Sequence, residues 1–505
     1  MDLDSRARTV ERLTSEAFDV LVIGGGIVGA GVASAAAHAG LRVALVERRD
    51  FGGATSSASS KLVHGGLRYL RMGDVRLVRE AHQERRMLMR VVAPHLVRRQ
   101  PFLLPLYEDG PYRPFVVQSG ILLYSGLARS RLNWLVPPAR SRELAPGLRL
   151  GGLRSCALYA DAATHDGRLC LANVRAAAEA GGVVLNYAEV VALRVAGGRI
   201  EGADVAVDGQ TVAAHARTVV NATGPWVDHI RRLEDPGARP SIRLSKGVHA
   251  LLPLEGEWSA ALTIPHDAVR VTFAVPWEGM LLLGTTDTLF EGDPGDVAAT
   301  GEDIEQILRE ASAALDPSLL TRDRVRAVFA GLRVLPGGDS DTASARRETV
   351  FARGAAGMLT VAGGKLTTYR RIALDALGHL RSDLGLHRLD RRPRPLPGAT
   401  GLAGVEFPDE LPPGTRTHLL RHYGSLAAEV LRPARADPSL LAPLHTDGPD
   451  IAAQALYAGS HEWALGPDDV LRRRTTVWLR GLETPEVVSR VSALLQAGST
   501  RPGSS

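Results

Sequence analysis

Residues 18–47, FDVLVIGGGIVGAGVASAAAHAGLRVALVE, decide the fold. Phe18 to Ile23 is a short apolar run of the kind buried in a parallel sheet. Gly24-Gly25-Gly26-Ile27-Val28-Gly29 breaks it, an alanine-rich helical segment follows to Gly40, and Leu41 to Val46 forms a second strand that ends on Glu47. This is G-x-G-x-x-G in its β-α-β setting. Gly24 allows the tight turn, Gly26 lets backbone approach a pyrophosphate, and Gly29 lets helix and strand pack closely. The helix start offers unsatisfied N–H groups and partial positive charge to that anion. Glu47 stands where a carboxylate accepts from both ribose hydroxyls. A dinucleotide site is therefore expected; the spacing alone does not choose between NAD and FAD.

The same stretch imitates a targeting signal, because Arg6, Arg8 and Arg12 precede the uncharged run Val20–Ala37. Five glycines interrupt that run, each costly in a plain apolar helix, and it continues into a second strand. No other stretch reaches about 18 uninterrupted apolar residues, so an integral membrane protein is not expected.

Composition sets the outer limits. The 505 residues are 45% hydrophobic and 23% charged, which is ordinary globular chemistry and enough for several domains. A net charge of +5 is too dilute over this length to argue for nucleic acid. Cys156 and Cys170 have no metal-ligand or C-x-x-C spacing, which favours a reduced, cytoplasmic setting. Of 60 basic residues only Lys61, Lys246 and Lys365 are lysines. An ammonium and a guanidinium do not exchange freely at a tight site, so these three positions are worth following.

Three further segments are candidates for the same site. Residues 54–71, ATSSASSKLVHGGLRYLR, form a polar glycine-containing loop after Glu47. Its small hydroxyl residues and Gly65-Gly66 would let backbone press against a flat ring, with Lys61, His64 and Arg68 supplying charge; a solvated serine-rich loop is the bland alternative. Residues 217–229, RTVVNATGPWVDH, are a strand and turn of the kind that returns to a nucleotide. Residues 359–371, LTVAGGKLTTYRR, run from strand through Gly363-Gly364 into a helix opening at Lys365. This is no triphosphate loop, since Leu359 and Leu366 stand where Gly and Ser or Thr are required. Arg333, in the apolar VFAGLRVLP (328–336), is either paired with a carboxylate or waiting for an anion.

Taken together, GGGIVGAG, ATSSASSKLVHGGLRYL, NATGPWV, SKGVH (245–249), GTTDT (284–288), AGLRVLP and GGKLTTYR resemble the FAD-dependent glycerol-3-phosphate dehydrogenases in order and spacing. The resemblance runs from about residue 18 into the C-terminal HEWALGPDDVLRRRT (461–475). It implies FAD held by Gly24, Gly26, Gly29 and Glu47. It places Thr55, Ser56, Ser57, Lys61, His64, Gly65, Gly66, Gly224, Gly363, Gly364 and Leu366 around the flavin. It implies a substrate phosphate gripped by Arg68, Tyr69 and Lys365, with Thr367 nearby and Arg347 as a further candidate whose register against Arg346 is open. Hydride would leave C2 for the flavin while Arg333 stabilises charge on the C2 oxygen. His249 is the candidate proton acceptor, with packing as its alternative. The electron acceptor implied is a quinone; an oxidase using oxygen, an amino-acid oxidase and a non-catalytic FAD scaffold are the alternatives.

The expected architecture is α/β: a Rossmann-like FAD-binding domain from 18–100, 150–240 and 330–385, a mixed-sheet substrate cap from 101–149 and 241–329, and a helical domain from 396–505. Proline-rich stretches at 391–395 and 408–413 mark the last boundary. Helical periodicity covers 415–431, 451–464, 468–480 and 485–496, the last starting at Thr484-Pro485. Residues 67–93 carry seven arginines among Leu, Val and Met. They read either as a core helix with a solvated basic face or as an interfacial helix. The resemblance favours peripheral attachment at the cytoplasmic face of the inner membrane, and a homodimer belongs to the same expectation.

Overall fold

The computed structural model describes residues 5–67, 74–110, 112–129, 134–267, 270–337 and 349–499. Arg68, Tyr69, Arg346 and Arg347 lie outside the described residues.

Two sheets organise the chain. The first runs Thr349–Arg353, Leu359–Gly363, Gln210–Asn221, Ala17–Ile23, Val43–Val46 and Val183–Leu185 in spatial order. All its neighbours along this path are parallel except the edge strand Thr349–Arg353. Ala17–Ile23 sits at the centre with Val20, Leu21 and Val22 fully buried, as an apolar run covered on both faces should be. Helix Ile27–His38 lies against helices Asp166–Glu179 and Tyr369–His379. Its small side chains allow that closeness: Ala30, Ala33 and Ala36 are wholly buried, and a Cβ on Gly31 would come within 3.0 Å of the Tyr369 ring. The carboxyl ends of the parallel strands, at Ile23, Val46, Asn221 and Gly363, share one edge, where a crevice binds ligands in such sheets.

The second sheet has ten strands in mixed directions. Ile242–Pro253 and Ala327–Pro336 are antiparallel neighbours, with Ser245 opposite Arg333 and His249 opposite Phe329. Leu153–Thr164 pairs along Val97–Tyr107, and Leu62–Val63 pairs with its far end, all in this sheet. The divisions placed at residues 150 and 330 therefore leave Leu153–Thr164 and most of Ala327–Pro336 outside the cap to whose sheet they are hydrogen-bonded. Pairing partners are chosen by long-range register, and apolar alternation does not reveal them.

Beyond residue 396, helices Pro413–Tyr423, Ala452–His461 and Pro485–Ser499 enclose a core that includes Leu419, Val430, Tyr457 and Val491. Pro485 is the first helical residue. The helix expected over 415–431 ends at Tyr423 and resumes at Ala427, because Gly424, at φ 59°, passes against the backbone of Gly398. The one expected over 468–480 is also broken, since Arg474 is drawn inward to Asp50 and to the carbonyls of Glu462 and Asp469.

The basic stretch forms helix Val75–Met87. Val78, Ala81, His82, Glu84 and Arg85 are buried, Arg85 pairs with Asp161, and Glu84 pairs with Arg370. This helix packs into the protein and keeps Arg76 and Arg79 in solvent. Among the described residues no helix is long and apolar enough to cross a membrane. Both cysteines are buried and free.

Candidate active site

A long cavity opens along the carboxyl edge of the first sheet and ends against the second. At one end stands the glycine turn. Gly24 has φ 106°, and a Cβ there would meet the carbonyl oxygen of Ala222 at 2.7 Å; one on Gly29 would fall 1.9 Å from the carbonyl of Gly24. Neither position admits another residue. Gly26 caps helix Ile27–His38 and lines the cavity, while Ile27 N–H donates to Ser56 Oγ at 2.9 Å. Glu47 is oriented by two backbone donors, Gly25 N–H at 2.7 Å on one oxygen and Arg49 N–H at 2.8 Å on the other. Burial pushes its pKa up, opposed by those two donors.

The loop after Glu47 is bound to both sheets. Thr55 Oγ1 donates to the carbonyl of Leu332 at 2.8 Å. Ser60 Oγ lies 2.8 Å from His249 Nε2. Thr367 Oγ1 accepts from His64 N–H at 3.0 Å and donates to His64 O at 3.2 Å. Its hydroxyl is thus committed to joining the loop to the turn after Gly363-Gly364. Lys365 lines the cavity as the residue before the 3-10 turn Leu366–Thr368, which leads into helix Tyr369–His379.

Arg333 lines the wall formed by the second sheet. Its Nη2 donates to Thr285 Oγ1 at 3.0 Å and to Thr286 O at 3.2 Å, and its Nη1 lies 3.2 Å from Asp287 Oδ1. Of the two readings open for Arg333, pairing with a carboxylate is realised, and the paired side chain still faces the cavity. A Cβ on Gly247 would sit 2.7 Å from Nη2, so SKGVH and GTTDT together shape the seat of this guanidinium. His249 is 3% exposed, stacks on Phe329 at 5.0 Å between centroids, and lines the cavity. Burial, then Arg333 and Lys61, hold its pKa well below the usual imidazole value, so it is neutral.

Gly24, Gly26, Glu47, Thr55, Ser56, His64, Gly224, His249, Arg333, Gly363, Gly364, Lys365, Leu366 and Thr367 all line this one cavity. Gly29, Ser57, Lys61, Gly65 and Gly66 do not. Lys61, 1% exposed, points away into Asp166, with Nζ 2.7 Å from Oδ1 and 2.6 Å from Ser57 O. Gly65 N–H donates to buried Asp161 at 3.1 Å, and a Cβ on Gly65 would enter the His82 ring. These residues support the loop from behind. Arg48 and Trp226, stacked at 4.8 Å, and Glu189 also line the cavity near Glu47 and were not anticipated. The doublet after Glu47 was the signal available for Arg48, and the strand and turn NATGPWV carried Trp226; nothing local marks Glu189.

The residues fit a dinucleotide with a flat ring. The glycine turn, where a Cβ on Gly24 would fill the space, stands with Glu47 at one end, and His249, Arg333 and Lys365 line the same cavity.

The profile of the FAD dependent oxidoreductases matches residues 19–370, and that of the C-terminal domain of alpha-glycerophosphate oxidase matches 363–498. Glycerol-3-phosphate dehydrogenase 2 of Mycobacterium tuberculosis is 39% identical over 97% of this chain and 86% of its own length. Glycerol-3-phosphate dehydrogenase of Pseudomonas aeruginosa is 34% identical over 94% of each. The crystal structure of glycerol-3-phosphate dehydrogenase from Bacillus halodurans complexed with FAD superposes with a TM-score of 0.73 at 27% identity, over 98% of this chain and 96% of that one. Fold and sequence agree, and the chain belongs to the family of FAD-dependent glycerol-3-phosphate dehydrogenases.

Proposed function

We propose that this protein binds FAD in the cavity and oxidises sn-glycerol 3-phosphate to dihydroxyacetone phosphate, passing the electrons to a quinone. The observation that carries the reading is the fixed guanidinium of Arg333 beside a neutral, buried His249 at the ring end of the cavity.

When bound, FAD supplies the two-electron acceptor for the hydride at C2. The chain supplies the rest. Gly24 and Gly26 bring backbone to the pyrophosphate, Gly29 lets the turn pack closely enough to do so, and Glu47 takes the ribose hydroxyls. As the substrate's C2 hydroxyl loses its proton, negative charge grows on oxygen, and Arg333 is already oriented to meet it. Because Thr285, Thr286 and Asp287 hold the guanidinium beforehand, little reorganisation remains for the reaction itself. His249, kept neutral, meets Ser60 Oγ at Nε2 while its Nδ1 is buried, so the proton would reach the ring through the Ser60 hydroxyl. Lys365 contributes cationic charge for the substrate phosphate, in the company of Arg68, Tyr69 and Arg347.

Attachment to the cytoplasmic face of the inner membrane is part of the proposal, since a quinone is lipid-dissolved. Support comes from helix Pro114–Leu127 and the following strand entry. There Phe115 is 83% and Trp134 70% exposed, with Val116 and Leu123 also in solvent.

Anaerobic mixing of the purified protein with glycerol 3-phosphate, followed through flavin absorbance, tests the reading. Bleaching is expected, and reoxidation by a short-chain quinone should outpace reoxidation by oxygen. No bleaching at millimolar substrate overturns the substrate; stoichiometric peroxide with no use of quinone overturns the acceptor.

A further inference from the structure

Away from the cavity, where the second sheet meets the C-terminal helices, lies a buried group of histidines and carboxylates. Glu278 occupies the turn between strands Val271–Trp277 and Met280–Gly284 and its side chain is 4% exposed. His418 and His422 are one turn apart on helix Pro413–Tyr423, at 4% and 1% exposure, so both imidazoles leave the same face. Glu278 Oε2 lies 3.8 Å from His418 Nδ1 and 3.4 Å from His422 Nε2, and all three donor atoms fall within 4.8 Å of one another.

Those separations have a chemical meaning. Zinc binds imidazole nitrogen and carboxylate oxygen at about 2.0–2.2 Å, so two ligands at neighbouring corners of a tetrahedron stand roughly 3.4 Å apart. The contacts to Glu278 are close to that edge. We propose that Glu278, His418 and His422 form a structural site for a divalent transition cation of the zinc type.

The surroundings are arranged as for a ligand set. His418 Nε2 is 2.8 Å from Asp450 Oδ1, so an outer carboxylate fixes the ring and Nδ1 faces Glu278. The other Asp450 oxygen accepts from Thr476 N–H at 3.0 Å and Thr476 Oγ1 at 2.6 Å, so this outer carboxylate is itself fixed. Arg98 engages Glu278 through Oε1 at 2.9 Å and leaves Oε2 to the histidines. His422 is the independent pointer: neither ring nitrogen makes a hydrogen bond among the described residues, although the ring is almost wholly buried. The His165 ring, 4.9 Å from that of His422, closes one side.

Two imidazoles and one carboxylate suit zinc over calcium or magnesium, which take oxygen ligands. Glu278 and Asp450 bring two carboxylates to the group, with the guanidiniums of Arg98 and Arg421 facing Glu278 from outside it. Such a site would fasten the sheet turn at Glu278 to the C-terminal helix, and so hold the two halves of the chain together.

The test uses the untagged, FAD-loaded protein. Elemental analysis should find about one zinc per chain. Co2+ added after chelator treatment should develop absorption bands at wavelengths longer than the flavin's, and Zn2+ should raise the thermal midpoint. Glu278→Gln and His422→Gln should lose metal and bands, whereas His445→Gln, at a half-buried histidine outside the group, should keep both. The native protein needs no variant to decide the question: under a tenth of an equivalent of metal, with no cobalt band on titration, overturns the proposal. Retention of a full equivalent by a folded His422→Gln overturns it equally.

Discussion

Arg474 Nη2 donates to Asp50 Oδ1 at 2.8 Å, and neither side chain exceeds 1% exposure. Asp50 follows the second strand of the dinucleotide sheet, while Arg474 lies 424 residues later among the C-terminal helices. Arg473 adds a second contact to the same carboxylate. Removing the carboxylate leaves a buried guanidinium uncompensated, which typically costs about 3–5 kcal/mol. Asp50→Asn should therefore lower the urea midpoint strongly. An unchanged midpoint would show that the C-terminal helices dock without this pair.

The same contact predicts how stability depends on pH. Burial by itself would raise the Asp50 pKa, but Arg474 and then Arg473 outweigh it and hold it below the ordinary carboxylate range. Glu462, buried against Arg168, is depressed for the same reason. A carboxyl depressed in the folded state stabilises above its unfolded pKa, about 4, and that gain disappears as pH falls through the folded value. Thermal midpoints should thus drop steeply below about pH 4, on top of the gentler loss that begins below about pH 6.5, where buried neutral histidines such as His249 and His95 favour the unfolded chain. In Asp50→Asn the acid-side decline should be shallower, measured by calorimetry across the same range.

Arg333→Lys keeps the charge and loses the planar fork that Thr285, Thr286 and Asp287 hold. The rate of flavin reduction should fall about 100-fold or more, with flavin content near that of the parent. Gly247→Ala should reproduce part of the defect without touching a charge, since its Cβ would fall 2.7 Å from Nη2. Equal loss of flavin and rate in both variants would make this arginine a structural one.

At the other end of the cavity, Gly29→Ala places a methyl 1.9 Å from the Gly24 carbonyl and should yield protein without flavin. Glu47→Gln is gentler. It keeps the size of the side chain but removes the charge that two backbone N–H groups address and that is proposed to take the ribose hydroxyls. FAD affinity should weaken by about 10- to 100-fold, read by equilibrium dialysis.

These predictions separate what the sequence made legible from what it hid. The glycine turn and Glu47 are local, since strand, turn, helix and acid follow within 30 residues and each has a chemical reason to be there. Arg333 stood out because a guanidinium in an apolar strand needs a partner. The partners themselves, Thr285 to Asp287, sit on another stretch and are found only through sheet register. Lys61 was drawn towards the cofactor by its neighbours, yet its counter-ion Asp166 is 105 residues away and draws it behind the loop. The placement of Leu153–Thr164 in the second sheet and the meeting of Glu278 with His418 have the same origin. Sequence distance conceals any contact that only tertiary packing creates.

Exposed apolar side chains bear on the membrane reading. Phe115→Ser combined with Trp134→Ser removes the two most exposed aromatic rings among the described residues, at 83% and 70% exposure. Sedimentation with anionic vesicles should fall several-fold, while turnover with a soluble dye acceptor stays level. Unchanged sedimentation would move the contact elsewhere on the surface.

Lys61 gives the last prediction, because it distinguishes supporting the site from acting in it. Its ammonium is enclosed by Asp166, the carbonyl of Ser57 and the face of Phe329, 4.9 Å from the ring centroid. The same Asp166 accepts from Ser59 N–H at 3.0 Å and Ser59 Oγ at 2.7 Å, so one carboxylate clamps the loop whose next residue, Ser60, meets His249. A guanidinium is too large for this enclosure, and an amide at 166 would leave the ammonium unpaired. Lys61→Arg and Asp166→Asn should therefore lower both thermal midpoint and FAD content, with turnover per bound flavin within about twofold of the parent. A full complement of flavin with a large loss of turnover would put Lys61 in direct contact with the chemistry, against the geometry that turns it away.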